Sequence, residues 1–269
     1  MSGLKLTLKA EPSERLDLSA LTPQALASKS AADIARIELG TSRSPATLGD
    51  IFAVSGNAGE TLVISGTTSR CDFVGANLAD GHLLVEGDVG AYAATDMKGG
   101  RFEIRGNAGH GLGATMKGGI AHVTGNAGDM LGGVRPGQQY GMQGGSIIVE
   151  GDIGERAGDR MRRGTIVARG SFGKWAGLRM MGGTLWSLDG FGDEPGMQMR
   201  RGTLIAPRVT RLLPTFGDGG VHDLVILRIL SRDLKQRLGP LAPPALPPKV
   251  RKLSGDLAVF GKGELLLTA

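Results

Sequence analysis

Four histidines, one cysteine and a scatter of carboxylates are the residues of this chain that could do chemistry. His82, His110, His122 and His222 share no metal-ligand spacing, so each reads as a solvated or packed imidazole and no metal site is expected. Asp88, Asp152, Asp159 and Asp193 fall mainly where turns are expected, and Asn107 and Asn126 fill the equivalent of Asp88. That interchange favours side chains bonding to turn backbone over a pair of acids. Cys71 stands alone, which rules out an internal disulfide framework and a thiolate zinc cluster built by this chain, and it reads as a buried structural thiol. The stretch GHGLGA from Gly109 matches a loose dinucleotide fingerprint, yet no helical pattern follows it. No residue is assigned a catalytic role.

The cations are more orderly. A column one position after a recurrent methionine reads Lys98, Lys117, Gln143, Arg162, Met181 and Arg200, with Arg163 and Arg201 one residue on. Between residues 155 and 211 there are 11 Lys plus Arg against 5 Asp plus Glu. If successive repeats stack, these side chains recur about 5 Å apart, an array suited to a polyanion. A protein interface through the same residues, or a solvated face, are the alternatives. A pI near 9.6 also raises nucleic acid, but 4% aromatic content and no binding-domain motif speak against it.

Whatever positions these residues must repeat. From Gly81 the chain restarts six times, usually every 19 residues, with one step of 26 where RPGQQYG is inserted. One glycine column is Gly87, Gly106, Gly125, Gly151 and Gly170, with Asp189 last; a second is Gly90, Gly109, Gly128, Gly154, Gly173 and Gly192. A third is Ala94, Gly113, Gly132, Gly158, Gly177 and Gly196, so the phrase is GxxGxxxG. Met97, Met116, Met142, Met161, Met180 and Met199 share one phase. Short β-branched segments such as IIV and TIV suit strands of about five residues, too short for a sandwich but able to stack on the next copy. The fold expected is all-β: a parallel β-helix, or solenoid, with glycine where a corner needs positive φ or where backbones approach closely; if the second column takes positive φ, Gly128→Val is expected to unfold the solenoid locally. The methionines are expected to stack inside as a ladder. A leucine-rich horseshoe lacks its L-x-x-L-x-L frame here.

Residues 1–50 read as an N-terminal extension with a strand in LKLTLKA and short helices between 21 and 39; residues 51–220 form the solenoid. Residues 221–269 hold a helical stripe at Leu224, Leu227, Leu230, Leu234 and Leu238, a proline-rich arm with five prolines, and a closing strand. The strand column Leu84, Glu103, His122, Ile148, Val167 and Trp186 is mostly apolar and, if outward, is expected to be an exposed partner-binding face. The helix and arm are further docking candidates. At 269 residues and 41% hydrophobic content the chain can bury a sizeable core, and 46 glycines are far above the usual ~7%. No stretch reaches the roughly 18 apolar residues of a membrane span and no signal peptide is evident, so a soluble cytoplasmic protein is expected.

Tandem GxxGxxxG repeats that each end in MKGG, or a variant such as MRRG, resemble the C subunit of formylmethanofuran dehydrogenase and of its bacterial counterpart, the formyltransferase/hydrolase complex. The same repeats occur in the C-terminal β-helix domain of glutamate synthase. The resemblance covers residues 51–220; length and flanks favour the C subunit over a stand-alone glutamate-synthase-like interaction module. Arg- and Ala-rich usage leans toward the bacterial hydrolase setting over the dehydrogenase. The resemblance implies a non-catalytic scaffold for amidohydrolase-like and formyltransferase subunits that release formate from a formylated methanofuran-type cofactor. It implies no covalently bound cofactor. The polyglutamate tail of such a cofactor could lie along Lys98, Lys117, Arg162, Arg163, Arg200 and Arg201.

Overall fold

The structure, a computed structural model, describes residues 3–41 and 45–268. It is built mainly of strands, thirteen of which form one large mixed sheet. In chain order these are β1 (Leu4–Leu8), β2 (Phe52–Ser55), β3 (Thr61–Thr67), β4 (His82–Gly87), β5 (Arg101–Arg105), β6 (Ile120–Val123) and β7 (Gln143–Val149). Then come β8 (Arg163–Ala168), β9 (Thr184–Ser187), β10 (Thr203–Ala206), β11 (Asp218–Asp223), β12 (Lys249–Ser254) and β13 (Glu264–Leu267). The sheet order is β11-β12-β13-β10-β9-β8-β7-β6-β5-β4-β3-β1-β2. From β3 to β10 each strand pairs in parallel with the strand of the next repeat, in the register read from the sequence: His82 lies beside Arg101, Arg101 beside Ile120, and Ile147 beside Ile166. Antiparallel pairs occur only at the two ends of the sheet, β1 with β2, and β11 with β12 with β13.

Two further lines of contact join the repeats. Val89, Ala108, Ala127, Ile153 and Phe172 are bridged in parallel, and Gly190–Asp193 and Val209–Arg211 extend that line. Beside it, Asp88, Asn107, Asn126 and Asp152 each accept, through a side-chain oxygen, the backbone N–H of the equivalent residue one repeat on, at 2.7 to 2.9 Å. The turn role expected of these side chains is thus an inter-repeat ladder.

Strand alternation sends Leu83, Phe102, Ala121, Ile147, Ile166, Leu185 and Leu204 into the core, where Met97, Met116, Met142, Met161, Met180 and Met199 are all fully buried. The opposite strand face differs from expectation. Ile148, Val167 and Trp186 are not an exposed patch: with Ile205 and Leu266 they are buried beneath helix α4 (Val225–Leu238), through its Leu227, Leu234 and Leu238. The proline-rich arm lies against the same helix, with Leu246 N–H donating to Ser231 Oγ at 3.0 Å. A helix stripe and a sheet face that each need cover satisfy one another, which leaves Leu84, Glu103 and His122 half-buried at the far end of the column.

Three short helices, α1 (Pro23–Leu26), α2 (Ala31–Ala35) and α3 (Leu48–Ile51), lie near the N-terminal end of the sheet. Each starts on a side chain that caps backbone N–H groups: Thr22, Ser30 and Thr47, the last in a reciprocal capping box with Asp50.

Candidate functional site

Between the second glycine of each repeat and its methionine, the backbone adopts positive φ at every second residue, a run that the inserted segment breaks after Gly132. One file runs Phe73, Tyr92, Gly111, Met130, Arg156, Trp175 and Glu194; a middle file runs Gly75, Ala94, Gly113, Gly132, Gly158, Gly177 and Gly196. A third holds Asn77, Asp96, Thr115, Arg160, Arg179 and Gln198. Every non-glycine residue with positive φ among the described residues belongs to these files. Such a conformation costs a side-chain-bearing residue about 1–2 kcal/mol.

Backbone hydrogen bonds between repeats offset that cost. Tyr92 N–H donates forward to His110 O at 2.7 Å, Ala94 N–H back to Val74 O at 2.8 Å, and the alternation continues through Arg156 to Lys174 and Gly177 to Ala157. Gln198, at the last repeat, donates instead to the Asp256 carboxylate at 2.8 Å. The middle file is buried, which leaves room only for glycine or alanine, while most of the flanking files are partly exposed. The glycine requirement therefore divides. The third column of the sequence needs positive φ. Gly128, in the second, does not have it; a Cβ there would meet Gly109 C at 3.1 Å, so close approach is the constraint.

The flanking files floor a groove. Three adjoining cavities share residues: Arg160 and Arg179 line both the first and the second, and Met181 and Arg200 line both the second and the third. The first also has Tyr92, His110, Arg135 and Arg156; the second has Gln139, Tyr140 and Gln198; the third has Arg201, Phe260 and Lys262. Residues inserted at the 26-residue step line the first two. Arg135 reaches back to Asp96 Oδ2 at 3.1 Å and lies over the Tyr92 ring at 5.6 Å, and Tyr140 lies under the Arg162 guanidinium at 5.1 Å. Phe73 stacks on Tyr92 at 5.6 Å, so Arg135 rests on an aromatic pair.

One carboxylate sits among these guanidiniums. Asp159 is fully buried; Arg179 Nη2 donates to both its oxygens at 3.0 and 2.6 Å, Arg179 Nε to Oδ1 at 3.1 Å, and Arg156 Nη2 to Oδ2 at 2.9 Å. It lies in a turn, as expected, but unlike Asp152 its side chain accepts from guanidiniums and not from the backbone of the next repeat. What the groove offers is donors on aromatic and aliphatic walls, an arrangement that binds and orients anions.

Of the cations read from the sequence, Arg200 and Arg201 line the groove, and Arg162 reaches it through Tyr140. Arg163 is exposed at the start of β8, Lys98 is exposed farther along the same column, and Lys117 is paired with Asp96 at 3.5 Å. Arg135, Arg156, Arg160 and Arg179 lie outside the column that follows the methionines, so its spacing did not reveal them; the insertion beside them is the signal that could have. The histidines do not converge: His82 is 3.9 Å from Glu103, His122 is 3.0 Å from Glu150, His110 packs edge-on to Tyr92, and His222 contacts Gly219 O. Among the described residues no three His, Cys, Asp or Glu form a group that could hold a metal ion, and no helix is long and apolar enough to cross a membrane.

No protein-family model matches the chain. A chain in the crystal structure of the formyltransferase/hydrolase complex FhcABCD from Methylorubrum extorquens with methylofuran superposes with a TM-score of 0.94 and 42% identity, over 98% of this chain and 99% of that one. The Fhc C subunit of the formyltransferase/hydrolase complex of the same organism is 46% identical over 85 residues, 32% of either chain. The C subunit of the tungsten-containing formylmethanofuran dehydrogenase 2 of Methanothermobacter thermautotrophicus is 31% identical over 97 residues, 34% of this chain and 36% of the relative. The stretches matched thus span about a third of these two curated relatives, whereas the structural likeness is full-length.

Proposed function

The chain belongs to the family of the C subunits of formyltransferase/hydrolase complexes, and from that premise we propose that it is a non-catalytic scaffold subunit of such a complex. The complex would release formate from a formylated methanofuran-type cofactor during one-carbon oxidation in the cytoplasm. The observation that carries this reading is the full-length likeness to a chain solved within FhcABCD with methylofuran. The partners expected are an amidohydrolase-like and a formyltransferase subunit, which would supply the chemistry.

Under this reading the repeats are coils of a parallel β-helix. Strand stacking, the bridged line at Val89 to Phe172 and the left-handed ladder supply three inter-repeat faces that support it. Residues 51–220 would be the helix and 1–50 and 221–269 its extensions. The groove is read as a non-covalent track for the cofactor's polyglutamate tail, with Arg160, Arg179, Arg200 and Arg201 central. Arg162, Arg163, Lys98 and Lys117 extend it along the column. Carboxylates recurring along a chain match cations on repeats spaced about 4.8 Å.

The M. thermautotrophicus relative favours a second reading, the C subunit of a formylmethanofuran dehydrogenase. Affinity purification of the tagged chain from its host, with mass spectrometry and a formyl-cofactor hydrolysis assay on the eluate, separates them. Co-elution of an amidohydrolase-like and a formyltransferase subunit with formate release supports the first reading. A tungsten-containing oxidoreductase supports the second. A chain that purifies alone and turns over substrate overturns both.

A further inference from the structure

Asp159 has no part in a track that needs only exposed cations, yet it is the most deeply held group in the groove. The position two before the methionine is Thr95, Ala114, Tyr140, Asp159, Leu178 and Met197 in successive repeats, so the fold itself has no need of a charge there. Burying a carboxylate costs several kcal/mol, and an apolar residue of similar volume is often as stabilising as a buried ion pair. Stability alone is therefore a poor account of this aspartate.

Its partners suggest another account. Arg179 faces the two cavities on either side of the inserted segment, Arg156 faces one of them, and both guanidiniums are fastened to the same carboxylate. A free arginine side chain carries rotamer entropy that a ligand must otherwise quench. We infer that Asp159 is a positioning residue that pre-orders Arg156 and Arg179, so that anionic groups on one ligand are held in fixed relation across the two cavities. This rests on the reading of the groove as a site for an anionic chain. The pair keeps one net positive charge after Asp159 is counted, and Arg160, with no carboxylate partner among the described residues, adds a second beside it.

The test is the affinity of the full chain for a linear γ-linked hexaglutamate, measured at several salt concentrations for the wild type, Asp159→Asn and Arg200→Gln. Asp159→Asn should weaken binding about tenfold, the scale of a lost charge-assisted contact, although it raises the local positive charge. Binding that is unchanged or tighter in Asp159→Asn, while Arg200→Gln weakens it, overturns the positioning role and leaves the groove standing. No binding by the wild type overturns the groove reading and this inference with it. If Asp159→Asn melts far below the wild type, Asp159→Glu takes its place. That variant keeps the charge but displaces both guanidiniums, and wild-type affinity in it also overturns the inference.

Discussion

Gly113 and Ala94 occupy the same file of the left-handed ladder, and together they isolate what the glycines contribute. A Cβ at Gly113 would sit at φ +64° and 2.4 Å from Ile147 Cδ1, so Gly113→Ala combines backbone strain with overpacking. We expect a loss of about 2–4 kcal/mol, read from the urea midpoint. Ala94 already carries that strain at φ +54°, and Ala94→Gly should move stability by less than about 1 kcal/mol, as relief of strain offsets unfolded-state entropy. Equal effects of the two changes would remove left-handed geometry as the reason for the column. Cys71 offers a second check. It is buried, and burial pushes its thiol up from the ordinary range, so at pH 8 it should resist iodoacetamide in the folded protein and react on unfolding. Labelling of the folded chain at the unfolded rate would contradict that packing. The glycine columns were legible in the sequence because a 19-residue period repeats any backbone need. Which column needed positive φ and which needed close approach was not, since both exclude a side chain; Gly128 was open to either.

The helix stripe at Leu227, Leu234 and Leu238 was also legible, but not what it covers, because periodicity shows that two apolar faces exist and not that they meet. With α4 seated on Trp186, truncating Leu234 to Ala should cost about 2–5 kcal/mol. In a Trp175→Phe background it should also shift Trp186 emission to the red. A truncation that left emission and stability unchanged would mean the helix does not rest there. The β11–β12 pair should be sensitive to acid. The Arg251 guanidinium, helped by the Gly220 N–H, holds the Asp218 carboxyl at about 2, below its ordinary value. A depressed folded-state pKa contributes stability above the unfolded value and loses it as pH falls from about 4 towards 2. The stability difference between wild type and Asp218→Asn should shrink across that window; a difference constant from pH 6 to 2 would contradict the pairing.

The groove belongs to the assembled molecule, since Arg135 meets Asp96, and Arg179 meets Asp159, only after the repeats stack. The excess of basic residues from 155 to 211 and the insertion at 135–141 were both visible in the sequence. Their convergence was not, because a loop's path is set by the repeats it crosses. The central claim is that this chain brings a binding surface and not chemistry to a formate-releasing complex. The measurement that tests it most directly is steady-state formate release by the intact complex carrying Arg160→Gln, Arg200→Gln and Arg201→Gln in this chain. Formyl cofactors with a long and with a truncated glutamate tail would be compared. A raised KM for the long-tailed substrate, with kcat for the truncated one unchanged, is the result expected. A collapse of kcat on the truncated substrate in a fully assembled complex would place this chain in the chemistry and contradict the claim.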